Sequence, residues 1–156
     1  MRKAIIVFAA CMLVLLACTT ERNDTTGSYI EFRLAELSPA DGLEMAVFKP
    51  TGQEFWLHPD VLMSDKDVAS ASPTGTGGNP AIEVVLTESA AAEFAQFTEE
   101  HLSQHVAILV EGEVVSVPVI RRPIDGGKVL IVGEFTREET EQIAAKLVAR
   151  ASAKSK

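Results

Sequence analysis

The sequence predicts an α+β fold, an antiparallel or mixed sheet with two main helices packed on one face. Three observations carry that expectation. Residues 29–36 (YIEFRLAE) alternate, with Ile30, Phe32 and Leu34 on one side and Glu31 and Arg33 on the other, the period of a half-buried strand. Two later segments repeat at helical spacing, Ala90, Phe94, Phe97 and His101 in the first and Ile143, Ala144, Leu147 and Val148 in the second. Short strand-like runs bounded by turn residues fill the rest, with no internal repeat.

The first strand ends at Ser38-Pro39-Ala40-Asp41-Gly42, a turn by composition. Residues 45–48 and 54–58 form a strand pair around Pro50-Thr51-Gly52, and Trp56, the sole tryptophan, is expected to pack from this hairpin onto the body. Ser64-Asp65-Lys66-Asp67 has the spacing of a capping box and is expected to open a short helix through Ala71. Residues 72–80 (SPTGTGGNP) read as a loop. A strand over 82–86 then places Ile82, Val84 and Leu86 together, and Thr87 caps a helix running to about Leu102.

Strands over 106–110 and 113–117 are joined by Glu111-Gly112, a two-residue loop suited to a type I′ turn. Pro118 has no N–H to donate and ends that ladder. Asp125-Gly126-Gly127 turns the chain, with both glycines expected at positive φ, into a strand over 128–132. Gly133 is expected to let that strand approach the next helix start closely. There, Thr136 and Glu139 form a capping box. Phe135 and Leu147 are expected in the core, and residues 151–156 (ASAKSK) read as a frayed tail.

The chain has 156 residues, enough for one domain with a real core. A hydrophobic share of 47% excludes a disordered polyanion. Acids outnumber bases 22 to 14, a net charge of −8 that argues against a nucleic-acid binder. Two cysteines and three histidines leave little for a disulfide framework or a metal centre, and no cofactor is expected.

The N-terminus reads as an export signal. Arg2 and Lys3 precede an uncharged run from Ala4 to Ala17, too short for a spanning helix but suited to a signal h-region. Leu15-Leu16-Ala17-Cys18 resembles a bacterial lipobox. The resemblance implies removal of residues 1–17, a diacylglycerol on the Cys18 sulfur and an acyl chain such as palmitate on its new amino group. Several chains together make a stable anchor. Residues 19–27 (TTERNDTTG) are polar and read as a tether. The expected organisation is thus a signal peptide (1–17), a lipidated cysteine and tether (18–27), a folded domain (28–150) and a polar tail (151–156). With Thr19 rather than aspartate after Cys18, a host with two membranes would place it in the outer membrane, facing the periplasm; otherwise the cell membrane holds it.

Residues 80–148 resemble the periplasmic head subdomain of SecD and SecDF, membrane proteins that assist protein export. The matching residues are Phe94, Phe97-Thr98, Ala107-Ile108, Gly112, Ser116, Pro118, Ile120, Ile124, Gly126-Gly127, Ile131, Gly133, Phe135-Thr136 and Glu138-Glu139. Departures fall at His101, Ser103, Glu111 and Val117, where the family pattern has Asn, Gly, Asp and Ala. Much of the series is explained by turns and caps, so it is a fold signature more than an active site. The resemblance implies a non-catalytic domain on the extracytoplasmic side that meets emerging polypeptides. The family's head is carried within a multi-spanning protein, and proton-driven work is not carried over to a chain read without membrane spans.

Other chemistry is weighed against simpler explanations. His101 and His105 stand four apart and with His58 offer a metal or catalytic set, but no HExxH motif accompanies them. Gly75-Thr76-Gly77-Gly78 lacks the Lys-Ser/Thr of a phosphate loop. The expected function is a membrane-anchored binding module without enzymatic activity, contacting exported polypeptide or an envelope complex. An enzyme or metal protein using His58, His101 or His105, and a structural envelope subunit, are the alternatives. The candidate contact residues are Val117, Pro118, Val119 and Ile120, apolar residues that serve equally well as core.

Overall fold

A computed structural model describes residues 27–75 and 78–154. The signal segment, Cys18, the tether through residue 26, and Thr76-Gly77 of the glycine-rich loop lie outside the described residues. The strands are β1 (Ile30–Glu36), β2 (Glu44–Phe48), β3 (Gln53–Leu57), β4 (Met63–Ser64), β5 (Val68–Thr74), β6 (Ala81–Leu86), β7 (His105–Val110), β8 (Glu113–Ser116) and β9 (Lys128–Val132). A 3₁₀ turn (Asp65–Asp67) follows β4, and the helices are α1 (Glu88–Glu100) and α2 (Arg137–Lys154). The fold is α+β, and every strand pair is antiparallel.

The strands form two sheets. The larger has the order β2-β3-β1-β7-β8, with β4 also pairing with β1, and the smaller is β5-β6-β9. β1 and β7 are in register from Ile30↔Val110 to Ala35↔His105. β7 is buried on both faces, as its unbroken apolar run VAILV fits. Val106, Ile108 and Val110 enter the main core, whereas Ala107 and Leu109 enter a second one.

That second core is the inside of a half-barrel. The larger sheet curls until β2 returns against β8, and Lys49 pairs with Glu113 across the seam. Ala35, Phe55, Leu57, Ala107, Leu109 and Val114 fill it. Strand alternation therefore sends Phe55 and Leu57 inward, and Trp56 lies on the other side, only partly buried.

The main core gathers Ile30, Phe32 and Ile108 from the larger sheet, Ile82, Val84 and Ile131 from the smaller, Phe94 from α1 and Leu147 from α2. Leu147 is fully buried, whereas Phe135 is partly buried against this core. The stripe of α2 is Thr140, Ile143, Ala144 and Leu147; Val148 lies outside it, 39% exposed. α2 also continues through residues 151–154 of the expected tail.

Local chemistry explains where the chain turns. Thr136 N–H donates to the Glu139 carboxylate at 2.7 Å, and Glu139 N–H donates back to Thr136 Oγ1 at 3.2 Å. Glu111 (φ 51°) and Gly112 (φ 79°) both take the positive φ of the type I′ loop. Of the Gly126-Gly127 pair only Gly127 has positive φ. A Cβ on Gly133 would lie 2.7 Å from the Val115 carbonyl of β8 and 2.8 Å from the Phe135 ring just before α2, so the close approach is to both.

One segment departs from its pattern. The Asp67 carboxylate accepts from Ser64 N–H at 2.9 Å, as a capping box requires, but the turn ends at once and Val68 is extended. Residues 68–74 become β5, in register with β6 from Val68↔Leu86 to Thr74↔Ala81. Ser72-Pro73-Thr74 is strand rather than loop, and Pro73 is tolerated because β5 is a sheet edge.

Candidate functional site: a cleft beside the edge of β9

A cleft of about 720 Å³ opens between the 118–126 loop and β9. Its floor is core: Phe32 of β1, Phe94 and Thr98 of α1, and Val106 and Ile108 of β7. Its volume falls within the roughly 300–1,000 Å³ of small-ligand sites. β9 ends the smaller sheet, so one edge has no strand pairing with it among the described residues, and Lys128, Val129 and Leu130 line the cleft. Leu130 is 57% exposed.

Hydrogen bonds set the loop. Beyond β8 the chain folds back beside the start of β7, where Val106 N–H donates to the Pro118 carbonyl at 3.0 Å and Ile120 N–H to the Gln104 carbonyl at 2.9 Å. Ser103 N–H donates to the Ile120 carbonyl at 2.8 Å. Ser103 holds φ 69°, so the positive φ available to the family's glycine is kept here by a serine. Further along, Ile124 N–H donates to Thr98 Oγ1 at 2.9 Å, and that hydroxyl donates to the Phe94 carbonyl at 2.9 Å. Thr98 is fully buried and fastens the loop to α1. Sequence reasoning treated Thr98 only as part of a motif; its place four residues after Phe94, on the buried stripe, is the signal that marks it. At the β8 end, Ser116 Oγ donates to the Val132 carbonyl at 2.7 Å and joins the two sheets.

The predicted contact residues divide. Pro118, Val119 and Ile120 line the cleft, whereas Val117 packs against the half-barrel core. Pro118 is exposed and Val119 partly so, but Ile120 is only 7% exposed and is core as well as wall. Arg121, Arg122, Asp125 and Lys128 are the charged lining residues, all exposed. Lys128 reaches Glu83 at 3.5 Å.

The three histidines occupy three different surroundings. His101 stacks on Phe97 at 4.1 Å between ring centroids, with its Nδ1 2.8 Å from the Phe97 carbonyl. His58 Nε2 lies 3.3 Å from Glu36, and His105 lies against Phe55 at 6.1 Å. Among the described residues no group of three or more His, Cys, Asp or Glu side chains gathers to hold a metal ion.

A polar cluster fixes the domain's start. Tyr29 N–H donates to the buried Asp65 carboxylate at 2.9 Å, and the Tyr29 ring lies under Lys146 and Arg150 at 5.0 and 5.5 Å. Burial pushes the Tyr29 hydroxyl above its ordinary pKa, against the lowering effect of Lys146. Lys146 is raised, chiefly by its hydrogen bond to Glu111 at 2.9 Å. These contacts lock the entry of β1 to α2 and lie apart from the cleft lining.

Among the described residues no helix is long and apolar enough to cross a membrane. The SecDF P1 head subdomain family matches residues 42–152, a wider span than the 80–148 stretch whose motifs carry the resemblance. SecD of Magnetococcus marinus is 37% identical over 93 residues, covering 59% of this chain and 17% of that protein. SecD of Aquifex aeolicus is 41% identical over 68 residues, covering 43% of this chain and 13% of that protein. The chain thus spans 17% or less of these relatives. A solved structure of SecDF, described as a membrane component that enhances protein export, superposes with a TM-score of 0.61 at 25% identity, over 80% of this chain and 62% of that one. A second SecDF structure, in a super-membrane-facing form, has the same score and identity over 80% of this chain and 19% of that one. The match over residues 42–152 places this chain in the SecDF P1 head subdomain family.

Proposed function

We propose that this chain is a lipid-anchored, non-catalytic head module on the extracytoplasmic side of the envelope, whose cleft holds extended apolar segments of exported polypeptides. The observation that carries the reading is the cleft itself, with apolar walls at Pro118, Val119 and Leu130 beside an edge of β9 that pairs with no strand among the described residues. An incoming extended segment can add its N–H and C=O groups to β9 while alternate side chains reach those walls. Contact is weak and tolerant of sequence, because backbone pairing reads no side chain. The anchor is Cys18, which the lipobox-like residues place in the cell membrane or, given Thr19, the outer membrane.

Two experiments test this. Titrating isotope-labelled full-length chain with unfolded secretory polypeptide is expected to shift amides of residues 117–130, and an unshifted cleft at millimolar peptide refutes the binding role. Metabolic labelling with a fatty-acid analogue is expected to mark the wild type and not Cys18→Ser; an unlabelled wild type refutes the anchor.

A further inference from the structure

We infer that the cleft selects extended apolar segments with an acidic residue beside the apolar run, and that Arg121 and Arg122 make this selection. The inference rests on the cleft being a polypeptide site, and adds the charge of its ligand. The protein carries a net charge of −8, and an acidic surface repels acidic peptides. The cleft rim is the reverse, with Arg121 and Arg122 against Asp125, and Lys128 already paired with Glu83. Among the described residues several other basic side chains are paired: Arg33 with Glu44, Lys49 with Glu113, Lys128 with Glu83, Lys146 with Glu111 and Arg150 with Asp65. Among the described residues, Arg121 and Arg122 have no carboxylate within salt-bridge reach, Asp125 included.

Geometry keeps these two cations in place. The Ile120 backbone is bonded on one side and Ile124 N–H is fastened to Thr98 on the other, so the arginines stand on a short, doubly anchored loop. Each guanidinium presents a fork of donors that matches a carboxylate. A carboxylate flanking an apolar run seated along Pro118, Val119 and Leu130 meets that fork at the rim.

The test uses full-length chain in detergent and three short labelled peptides sharing one apolar core, flanked by aspartate, serine or lysine. Affinities are read by fluorescence polarisation, with chemical-shift mapping to confirm the cleft. The aspartate peptide is expected to bind about fivefold tighter than the serine peptide, the effect of two exposed ion pairs. The lysine peptide is expected to be the weakest. Arg121→Glu with Arg122→Glu is expected to reverse that order with an unchanged melting midpoint, since both side chains are exposed. Equal binding of all three at the cleft overturns charge selection and leaves the polypeptide-site reading standing. Tightest binding of the lysine peptide overturns it likewise, with Asp125 and the acidic body in control. Binding by none removes both.

Discussion

The half-barrel core and the cleft share one strand and differ in how its two faces are covered. On one face of β7, Ala107 and Leu109 are sealed under Phe55 and Leu57, because β2 returns against β8 and closes the curl. On the other, Val106 and Ile108 lie beneath a loop bracketed by Pro118 and Pro123, beside an edge of β9 that pairs with no strand among the described residues. Residue chemistry is the same on both sides. The difference teaches that two equally buried faces can be closed in different ways: a strand seam continues the sheet over one, while a loop on two anchors leaves a cleft above the other.

The strongest way to break the comparison is to empty the closed side. Phe55→Ala is expected to cost about 3–5 kcal/mol, since the half-barrel has no free surface to collapse into. Denaturant melts measure it, and peptide binding per folded molecule should be unchanged. A loss of binding in the folded fraction would mean that the two sides are coupled.

On the open side the corresponding change is Thr98→Val, expected to cost about 1–3 kcal/mol by leaving the Ile124 N–H without its acceptor. Here binding at the cleft is expected to weaken more than stability does, and Thr98→Ser to restore both. Equal melts for Thr98→Val and wild type would show that the loop is held by something else.

Smaller changes sharpen the picture. Ser103→Gly relieves a positive φ at the start of the loop and is expected to raise stability by up to about 1 kcal/mol. An unchanged or lowered melting midpoint would place the serine side chain in a compensating bond.

Away from both regions, Glu139 is held below the ordinary carboxylate range by Thr136 N–H and then by its hydroxyl. A pKa lowered by folding means stability that is present above the unfolded value of about 4.3 and lost as pH falls through the folded value. The α2 cap is therefore expected to loosen only in that acid window, as followed by the Thr136 amide shift, and Glu139→Gln to remove the dependence.

Much of this was legible in the sequence wherever the cause is local. The Glu111-Gly112 turn, the Thr87 and Thr136 caps and the stop at Pro118 each depend on a few adjacent residues, and each is as the sequence predicts. β5 was not legible, because Ser72-Pro73-Thr74 has the composition of a loop and becomes strand only by pairing with β6 under α2. The split into two sheets was hidden for the same reason, since no local signal says which edges meet. Pro118, Val119 and Ile120, which cluster in the sequence as apolar residues, line the cleft. Thr98 and β9 were missed because their roles lie in what they face across the fold. His101 and His105 share a helical spacing but not a helix: α1 ends at Glu100, and His101 closes it.

The proposed polypeptide site lies on the cleft side of β7, above Val106 and Ile108, and not on the half-barrel side. Amide chemical-shift mapping of the full-length chain, titrated with an unfolded apolar secretory peptide, tests it most directly. Shifts are expected at residues 117–130 and at Thr98, with β2 and β3 unmoved. Shifts confined to β2 and β3, or no shifts at millimolar peptide, would contradict it.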